Sequence, residues 1–505
     1  MSGNEDDSRG IRINKKGCVH MSIPYQEHPA YKHFEAISRI PHGSGNEKAI
    51  SDYILQFAQA RGLEAVQDEA YNLVIRKPAS AGYEHAPVVI LQGHLDMVCE
   101  KNMDVAHDFE RDPLRLVVEG DWLRAEGTTL GADDGVAVAY AMALMDDDTL
   151  AHPALELVLT ANEEVGLEGA AALNGALLRG DIMMNLDSGE EGVFITGCAG
   201  GSKMDIDLPM EMESVPDGEE MTSAVLRITG LMGGHSGIDI DRKRGNSIKL
   251  MTSFLETAAK TYGVRLVSLT GGSKDNAIPR EAEALVCIPR AEWEAFAAHV
   301  CVYGEELRAA FADSDAEVSI NAAERDTMPA RMLTNKAAGE LFVLLAALPN
   351  GVLAYSAALQ GLVETSNNVG VVRTDADTAR IVCALRSSVA RQKEELAENI
   401  RAIVEAAGAT VQMHGEYPAW EYNPHSRIRN LAVTVYEEMS GKKASLLAVH
   451  AGLECGLFAE KRQGLDMIAL GPDMLDIHSP QERLNLPSFL RTWELLLAIL
   501  ARLAD

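Results

Sequence analysis

The chain has 505 residues, 47% of them apolar, and a formal net charge of −30. This length exceeds one ordinary hydrophobic core and predicts at least two domains. The acidic balance argues against nucleic acid and anionic membrane surfaces as partners. No apolar run reaches the roughly 20 residues that span a bilayer.

The N-terminal segment and the cysteines bear on the cellular compartment. Residues 1–24 are polar and mixed in charge, without the apolar centre of a signal peptide, so we expect a disordered leader. The chain has seven cysteines, which are scattered and include no CxxC pair. They fit neither a disulfide framework nor a thiolate zinc site, and they indicate a reducing cytoplasm.

Helical and strand patterns alternate in the first part of the chain. Near-continuous apolar strands, such as VVILQGH and LELVLT, are interleaved with helices, which predicts a largely parallel sheet covered on both faces. The strand patterns then become half-polar. Near the C-terminus the alternation of helices and apolar strands seen in the first part returns. We therefore expect an α/β catalytic domain formed by 25–199 and 409–505, with a smaller α+β domain, 200–408, inserted in it.

Polar side chains follow three of the apolar strands. His94 and Asp96 end the first, Glu163 and Glu164 follow the second, and Asp187 follows the third. Open α/β sheets bind ligands outside the carboxyl ends of their strands. Two adjacent glutamates at a strand end repel each other and need a cation, a proton or open water nearby. These strand ends therefore predict a metal site, with one glutamate as ligand and the other moving protons.

Two further motifs extend this site. Asp133 and Asp134 precede an Ala-rich helix, and His478 follows the last apolar run. Imidazole and carboxylate groups suit zinc, and two divalent cations can share a bridging carboxylate and a bridging water. Asp96, two residues after His94 in an extended chain, can hydrogen-bond the second imidazole nitrogen. Taken alone, the paired aspartates could be a helix cap and the paired glutamates a solvated edge. All of these motifs occur together in one chain, most of them at the exits of apolar strands, and this combination favours metal binding.

The motifs GADDG, TANEEVGLEGA, GGHSG, HAGLECG and IHSPQERL resemble those of the dinuclear-zinc peptidases, which include carnosinases, tripeptidase T and glutamate carboxypeptidases. They resemble most the bacterial aminoacyl-histidine (Xaa-His) dipeptidase branch. The resemblance covers nearly the whole chain after the leader. It implies a phosphorylase/hydrolase-like zinc-binding domain with an inserted lid, which agrees with the expected boundaries, and it implies a homodimer.

The resemblance also assigns roles near the metals. It implies that Asp96 orients His94, that Glu163 is the general base, and that the peptide bond after Asp133 is cis. Zn²⁺ is the expected metal, with Mn²⁺ and Co²⁺ as alternatives, because oxygen-rich sites accept several ions. The implied ligands are His94 and Asp187 for one ion, Glu164 and His478 for the other, and Asp133 as the bridge.

Five residues are candidates for contact with substrate. By resemblance, His235 in the GGHSG turn acts on the scissile carbonyl oxygen, where a donor stabilises the oxyanion. Arg386 resembles the arginine that pairs with the substrate's C-terminal carboxylate, a surface salt bridge being its alternative. His450 and Glu454 lie in a loop beside the substrate, and Glu454 could hold a free amino group. Asn276 is a further candidate lid contact.

The leading hypothesis is a cytosolic metallodipeptidase that hydrolyses short peptides, with a C-terminal histidine as a candidate substrate feature. One alternative is an N-acyl amino acid deacylase on the same scaffold, which needs no carboxylate near a substrate amine. Another is a metal- or peptide-binding protein without activity, which would usually lack a ligand or the base. Every expected position is filled in this chain, and Glu454 favours the dipeptidase.

Overall fold

The computed structural model describes residues 11–13, 19–21, 25–216, 220–359 and 361–504. The chain divides into two compact units. The first unit comprises Met1–Gly197, Tyr422–Ala448 and Leu453–Asp505, and the second comprises Cys198–Glu421 and Val449–Gly452.

The elements are numbered in chain order. Before the second unit, the strands are β1 (Ile11–Ile13), β2 (Val19–Met21), β3 (Glu64–Gln67), β4 (Leu73–Lys77), β5 (Val89–His94), β6 (Leu116–Glu119), β7 (Trp122–Ala125), β8 (Leu155–Thr160), β9 (Ile182–Asn185) and β10 (Val193–Cys198). The helices of this part are α1 (Pro29–Ile37), α2 (Lys48–Gln59), α3 (Ala132–Asp146) and α4 (Glu168–Ala172).

The second unit follows with its own strands and helices. Its strands are β11 (Gly200–Pro209), β12 (Met212–Ser214), β13 (Met221–Thr229), β14 (Arg265–Gly271), β15 (Ala282–Pro289), β16 (Ser319–Arg325), β17 (Arg331–Leu333), β18 (Gly351–Tyr355), β19 (Val363–Thr374), β20 (Thr378–Ser387) and β21 (Thr410–Tyr417). Its helices are α5 (Ser247–Tyr262), α6 (Trp293–Ala310), α7 (Asn335–Ala347) and α8 (Ala390–Ala406).

The C-terminal part completes the first unit. Its elements are α9 (Arg427–Ser440), β22 (Ser445–Val449), α10 (Glu454–Lys461), β23 (Asp466–Ala469), β24 (Met474–Leu475), β25 (Arg483–Asn485) and α11 (Leu486–Ala501). Short 3-10 helices along the chain are Tyr25–Glu27, Gly175–Leu177, Ile240–Arg242 and Arg290–Glu292.

The described part of the predicted leader is small. Within 1–24, only β1 and β2 are described, and they pair as an antiparallel ribbon. The other residues of the leader lie outside the described residues, so its predicted disorder stays a prediction.

The main sheet of the first unit has eight strands in the order β22-β10-β23-β9-β5-β8-β4-β3. Its centre, from β23 to β8, is parallel. At the sides, β10 is antiparallel to β23, and β4 and β3 follow β8 in antiparallel pairs. The strands β5, β8 and β9 are buried along their whole length, which explains their near-continuous apolar sequences. This parallel centre confirms the predicted α/β fold.

Helix α3 fills the core of the first unit. It is buried along almost its entire length and packs on α1 and β5. A helix buried on all sides needs apolar residues around its whole circumference, which explains its Ala-rich sequence. Its Tyr140 ring stacks on Phe489 of α11 with the ring centroids 4.9 Å apart. A separate antiparallel sheet, β24-β25-β7-β6, completes the unit, and the loop 476–482 joins β24 to β25.

The second unit contains a nine-stranded sheet. Its strand order is β16-β13-β15-β14-β19-β20-β11-β21, with β18 paired to β19. The strands that the sheet joins are antiparallel, and buried and half-buried residues alternate along β11, as in a sheet with one covered face. This arrangement confirms the predicted α+β character of the inserted part. The unit extends to Glu421, beyond the expected end at 408, because β21 pairs with β11.

Among the described residues, the structure has no helix that combines the length and the apolar character needed to cross a bilayer.

Candidate metal centre

The carboxyl ends of three parallel strands meet at one edge of the main sheet. Strand β5 lies between β8 and β9 and is parallel to both. His94 is the last residue of β5, Glu163 and Glu164 follow β8, and Asp187 follows β9. The structure therefore brings together side chains that are far apart in the sequence, because parallel strands end at a common edge.

Asp133 lies between two imidazoles. Its Oδ1 is 2.9 Å from Nε2 of His94, and its Oδ2 is 3.3 Å from Nε2 of His478. His478 Nε2 is also 2.9 Å from Glu164 Oε1, and His94 Nε2 is 4.0 Å from Asp187 Oδ1. Burial opposes ionisation of Asp133, but hydrogen bonds from His478 and His94 hold its pKa below the usual range. One oxygen towards each imidazole is the arrangement of a carboxylate that can bridge two cations.

The paired aspartates have different surroundings. Their peptide bond is cis, and neither residue has helical backbone angles although both lie in the first turn of α3. Asp134 is fully buried; its Oδ2 accepts from the backbone N–H of His94 at 3.2 Å and its Oδ1 from that of Ala137 at 3.2 Å. Asp134 therefore acts as a helix cap and fixes the backbone of His94, whereas the Asp133 carboxylate faces the imidazoles.

Candidate ligand atoms form two overlapping groups. In each group the ligand atoms lie within 4.8 Å of one another. The first group matches three of the expected ligands, while the second contains Asp134 beside the expected Asp187. The groups are His94, Asp133 and Glu164, and His94, Asp134 and Asp187.

The electrostatics of the cluster fit a divalent cation. Burial raises the pKa of Asp187 well above its usual range, and the charges of Asp133 and Asp134 raise it further. Burial also raises the pKa of Glu163 to about 7, with Glu164 adding to the rise. Carboxylates packed this closely repel one another, and a divalent cation supplies the missing positive charge. The donor set, imidazole nitrogen and carboxylate oxygen, suits zinc.

Asp96 organises the strand ends from below. It is 1% exposed, and its carboxylate accepts hydrogen bonds from the backbone N–H groups of Glu163 and Glu164 at 2.9 and 3.2 Å and from the Ser44 hydroxyl at 2.8 Å. The nearest partner of His94 Nδ1 is the carbonyl oxygen of Asp96 at 3.0 Å, while the carboxylate is 3.5 Å away. The expected carboxylate contact is therefore the longer of the two, and a proton on Nδ1 leaves Nε2 free to bind metal.

Glu482 is a supporting residue that the sequence did not single out. It is 2% exposed and accepts hydrogen bonds from four consecutive backbone N–H groups, those of Leu130, Gly131, Ala132 and Asp133, at 2.7, 3.1, 2.8 and 3.4 Å. It therefore holds the turn that presents Asp133. The IHSPQERL motif contains this glutamate, but one glutamate in a loop carries no pattern that distinguishes it from a surface charge.

Glu454 lies beneath the same strand ends. It is 2% exposed at the start of α10, and its Oε2 accepts from Gln92 Nε2 at 2.5 Å and from Thr160 Oγ1 at 2.8 Å. Burial, and after it the charge of Glu163, raise the pKa of Glu454 to about 8. Its predicted contact with a substrate amine stays a prediction.

The remaining expected residues belong to the second unit. His235 Nδ1 accepts from the backbone N–H groups of Gly237 and Ile238, each at 3.2 Å. A neutral ring that accepts at Nδ1 carries its proton on Nε2, and burial together with Arg386 lowers the His235 pKa. The His235 side chain is therefore a neutral hydrogen-bond donor. The backbone carbonyl of the exposed Asn276 accepts from the residue after His235.

His450 and Arg386 are both buried in the second unit. His450 Nε2 is 2.7 Å from the Ser366 hydroxyl, and burial with the nearby Arg386 charge lowers its pKa to about 4. Arg386 is 8% exposed and donates to the hydroxyl of Tyr417. A buried guanidinium on a phenol does not fit the alternative of a surface salt bridge. The sequence did not point to Tyr417, because its role depends on strand register.

A parallel sheet that delivers imidazoles and carboxylates to one edge is typical of metal-dependent α/β hydrolases. The chain belongs to peptidase family M20/M25/M40, whose sequence profile matches residues 90–502. It is therefore a peptide-bond hydrolase. This match confirms the family that the motifs indicated.

Named relatives cover nearly the whole chain. Over 472 residues the chain is 37% identical to the cytosol non-specific dipeptidase of Escherichia coli (strain K12), covering 94% of this chain and 97% of the relative. The structure of aminoacylhistidine dipeptidase from Vibrio alginolyticus matches with a TM-score of 0.90 and 35% identity, covering 95% and 98% of the two chains. Aminopeptidase PepT from Bacillus cereus ATCC 10987 shares the fold, with a TM-score of 0.55 and 15% identity over 96% and 100%.

Proposed function

We propose that this peptidase is a metal-dependent dipeptidase. The observation that carries the proposal is the position of Asp133 between the imidazoles of His94 and His478, with Glu163 and Glu164 at the neighbouring strand end. The names of the two similar proteins, a non-specific dipeptidase and an aminoacylhistidine dipeptidase, support dipeptides as the substrate class. The word cytosol in the first name supports a cytoplasmic location.

The residues that would hold two cations follow from the cluster. When bound, the cations would polarise the scissile carbonyl and make a water molecule easier to deprotonate. Zn²⁺ suits the ligand types, and Mn²⁺ and Co²⁺ are the alternatives to compare. The proposed ligands are His94 and Asp187 for one cation, Glu164 and His478 for the other, and Asp133 between them.

Glu163 is the proposed general base. It follows the same strand as Glu164, but its carboxylate is not one of the grouped ligands. Burial raises its pKa to about 7, and a base with a pKa near the working pH transfers protons efficiently. Glu163 would accept a proton from the attacking water and return it to the leaving amine. His235, a neutral donor at Nε2, would hydrogen-bond the oxyanion.

The two charged ends of a dipeptide suggest two further roles. The Arg386 guanidinium would bind the C-terminal carboxylate. Glu454 would hold the free amino group, since its Oε1 is buried without a hydrogen-bond partner among the described residues. His450 and Asn276 are the other proposed contacts with substrate. A C-terminal histidine is the proposed substrate feature to test first, because one similar protein is named for it.

The experiment is a dipeptide panel assayed with the purified protein before and after treatment with a chelator. We expect hydrolysis of free dipeptides, loss of activity after chelation, and recovery on addition of one of the three metals. The panel should include Xaa-His dipeptides and their N-acetylated forms. Activity that survives complete metal removal, or no activity with any metal, would overturn the proposal.

A variant separates the dipeptidase from an N-acyl amino acid deacylase. Glu454→Gln should impair hydrolysis of the free dipeptide more than that of its N-acetylated form, because only the former has an amine to bind. Equal rates for wild type and variant on the free dipeptide would remove that role from Glu454.

Light scattering on the same purified protein tests the homodimer that the family resemblance implies.

A further inference from the structure

We propose that Tyr417 is a substrate-binding residue that forms, together with Arg386, a two-donor site for the carboxylate of the peptide substrate. The inference rests on the proposed function, because it concerns the group that Arg386 would bind. Strand register, two glycines and the hydrogen bonds of the pair support it, and all of them lie within the second unit.

Strand register places the two side chains in one row. Strand β11 lies between β20 and β21. Gly201 of β11 is the cross-strand partner of Arg386 on one side and of Tyr417 on the other. Residues directly opposite each other project from the same face of a sheet. Neighbouring strands are about 4.8 Å apart, so Arg386 and Tyr417 face each other across the width of two strand spacings.

The missing side chain of Gly201 lets the phenol cross that distance. A Cβ atom at Gly201 would overlap the hydroxyl group and Cζ of Tyr417. A Cβ atom at Gly452 would overlap Cε2 of the same ring. The ring of Tyr417 therefore lies in a slot between two glycines, and any larger residue at either position would push it away from Arg386.

A β-bulge aims the tyrosine into this slot. The register of β11 and β21 shifts between Gly201 and Lys203, where β21 contains an extra residue. Gly415, two residues before Tyr417, has a φ of +60°, which glycine adopts without strain. Bulges of this kind commonly re-aim a side chain at a functional site.

The hydrogen bonds leave donors available on both side chains. Arg386 donates to the Tyr417 hydroxyl, so the phenol uses an acceptor lone pair and keeps its own O–H. Burial raises the pKa of Tyr417 above its usual range, so it stays protonated. The Nε–H group of Arg386 is buried and has no hydrogen-bond partner among the described residues. A carboxylate, which accepts through two oxygens, matches a guanidinium and a phenol held side by side.

The test compares Tyr417→Phe with wild type on a dipeptide that has a free carboxylate. Phenylalanine keeps the ring in the slot and removes the O–H donor. We expect KM to rise about tenfold, the effect of losing a hydrogen bond to a charged group, and kcat to change little. The control is Tyr303→Phe, which removes another phenol of the second unit, one that donates to the Leu250 carbonyl at 3.1 Å; it should leave KM unchanged.

A second variant separates substrate binding from a purely structural role. In the otherwise wild-type protein, Gly201→Ala should raise KM, because the alanine methyl group displaces the phenol. In the Tyr417→Phe variant, which already lacks the hydroxyl group, the same change should raise KM little further. Additive effects of the two changes, or a KM for Tyr417→Phe within twofold of wild type, would overturn the inference. Thermal unfolding shows whether each variant is folded. If Tyr417→Phe does not fold, the KM of Gly201→Ala alone provides the test.

The same assay distinguishes the two possible failures. Dipeptide hydrolysis by wild type tests the proposed function, and the ratio of KM values between variant and wild type tests Tyr417. Absence of wild-type hydrolysis would overturn both, whereas an active wild type with an unchanged variant would overturn only the role of Tyr417.

Discussion

Glu482 offers a direct test of how the structure holds Asp133. The substitution Glu482→Gln keeps the shape of the side chain and replaces one carboxylate oxygen by an NH₂ group. In the wild type, Oε1 accepts from Ala132 and Asp133, and Oε2 accepts from Leu130 and Gly131. Whichever oxygen is replaced, two backbone N–H groups then face a donor instead of an acceptor.

The magnitude follows from those two lost acceptors. A buried N–H group left without a partner costs about 1–3 kcal/mol, and the two losses are not fully additive. We expect the free energy of unfolding to fall by about 2–4 kcal/mol. The turn that carries Asp133 loses its fixed position at the same time. Loss of a residue that supports a ligand typically weakens metal affinity about 10–100-fold, and we expect that range here.

Glu156 provides a matched control in the same unit. It is 1% exposed at the start of β8, and its Oε2 accepts from the backbone N–H groups of Arg179 and Gly180 at 2.7 and 2.8 Å. Glu156→Gln should therefore lower stability without changing metal affinity. Metal affinity is measured by titration against a chelating indicator, and stability by urea unfolding. If Glu482→Gln binds metal as tightly as wild type, or Glu156→Gln weakens binding equally, the reasoning is refuted.

Three further predictions can be checked with purified variants. Glu163→Gln should retain its metal content but lower kcat by at least about 100-fold. Glu164→Ala should instead contain less metal, as measured by elemental analysis. The reverse pattern would exchange the roles of the two glutamates. Asp315 is fully buried and accepts from two backbone N–H groups in the segments that flank His235, so Asp315→Asn should lower the free energy of unfolding by about 1–3 kcal/mol; unchanged urea unfolding would contradict this. Burial raises the pKa of Glu494 to about 7 from 4.5, so folding favours the protonated form of its side chain. The contribution of this side chain to the free energy of unfolding is fully present below pH 4.5 and is lost as the pH rises through 7. Between pH 5 and pH 8 the free energy of unfolding of Glu494→Gln should therefore rise by about 1–3 kcal/mol relative to that of wild type. An equal pH dependence of unfolding in both proteins would contradict this.

The parts of the site on parallel strands could be predicted from sequence. Apolar runs that end in His94, in the pair Glu163 and Glu164, and near Asp187 identify strands with their own polar exits. Once the sheet is parallel, those exits must meet at one edge. The prediction needed only local pattern and one rule of sheet architecture, and the family resemblance then assigned the bridging role to Asp133.

The supporting residues could not be predicted in this way. Glu482 and the N–H group of Leu130 are 352 positions apart in the chain, and no local pattern links them. Tyr417 and Arg386 meet only because both are opposite Gly201, which depends on register and on a bulge. The expected end of the inserted domain at 408 had the same weakness, since edge strand β21 belongs to the second unit through its pairing with β11, about 200 positions earlier in the chain.

The place of β23 in the main sheet has a consequence for protein synthesis. β23 lies between β9 and β10, but the ribosome makes it only after the whole of Cys198–Glu421. At about 5–20 residues per second, a sheet that formed during synthesis would have a gap between β9 and β10 for tens of seconds. Unpaired strand edges invite pairing with other chains. We therefore expect cellular folding of this protein to require protection of that gap until its last segment leaves the ribosome.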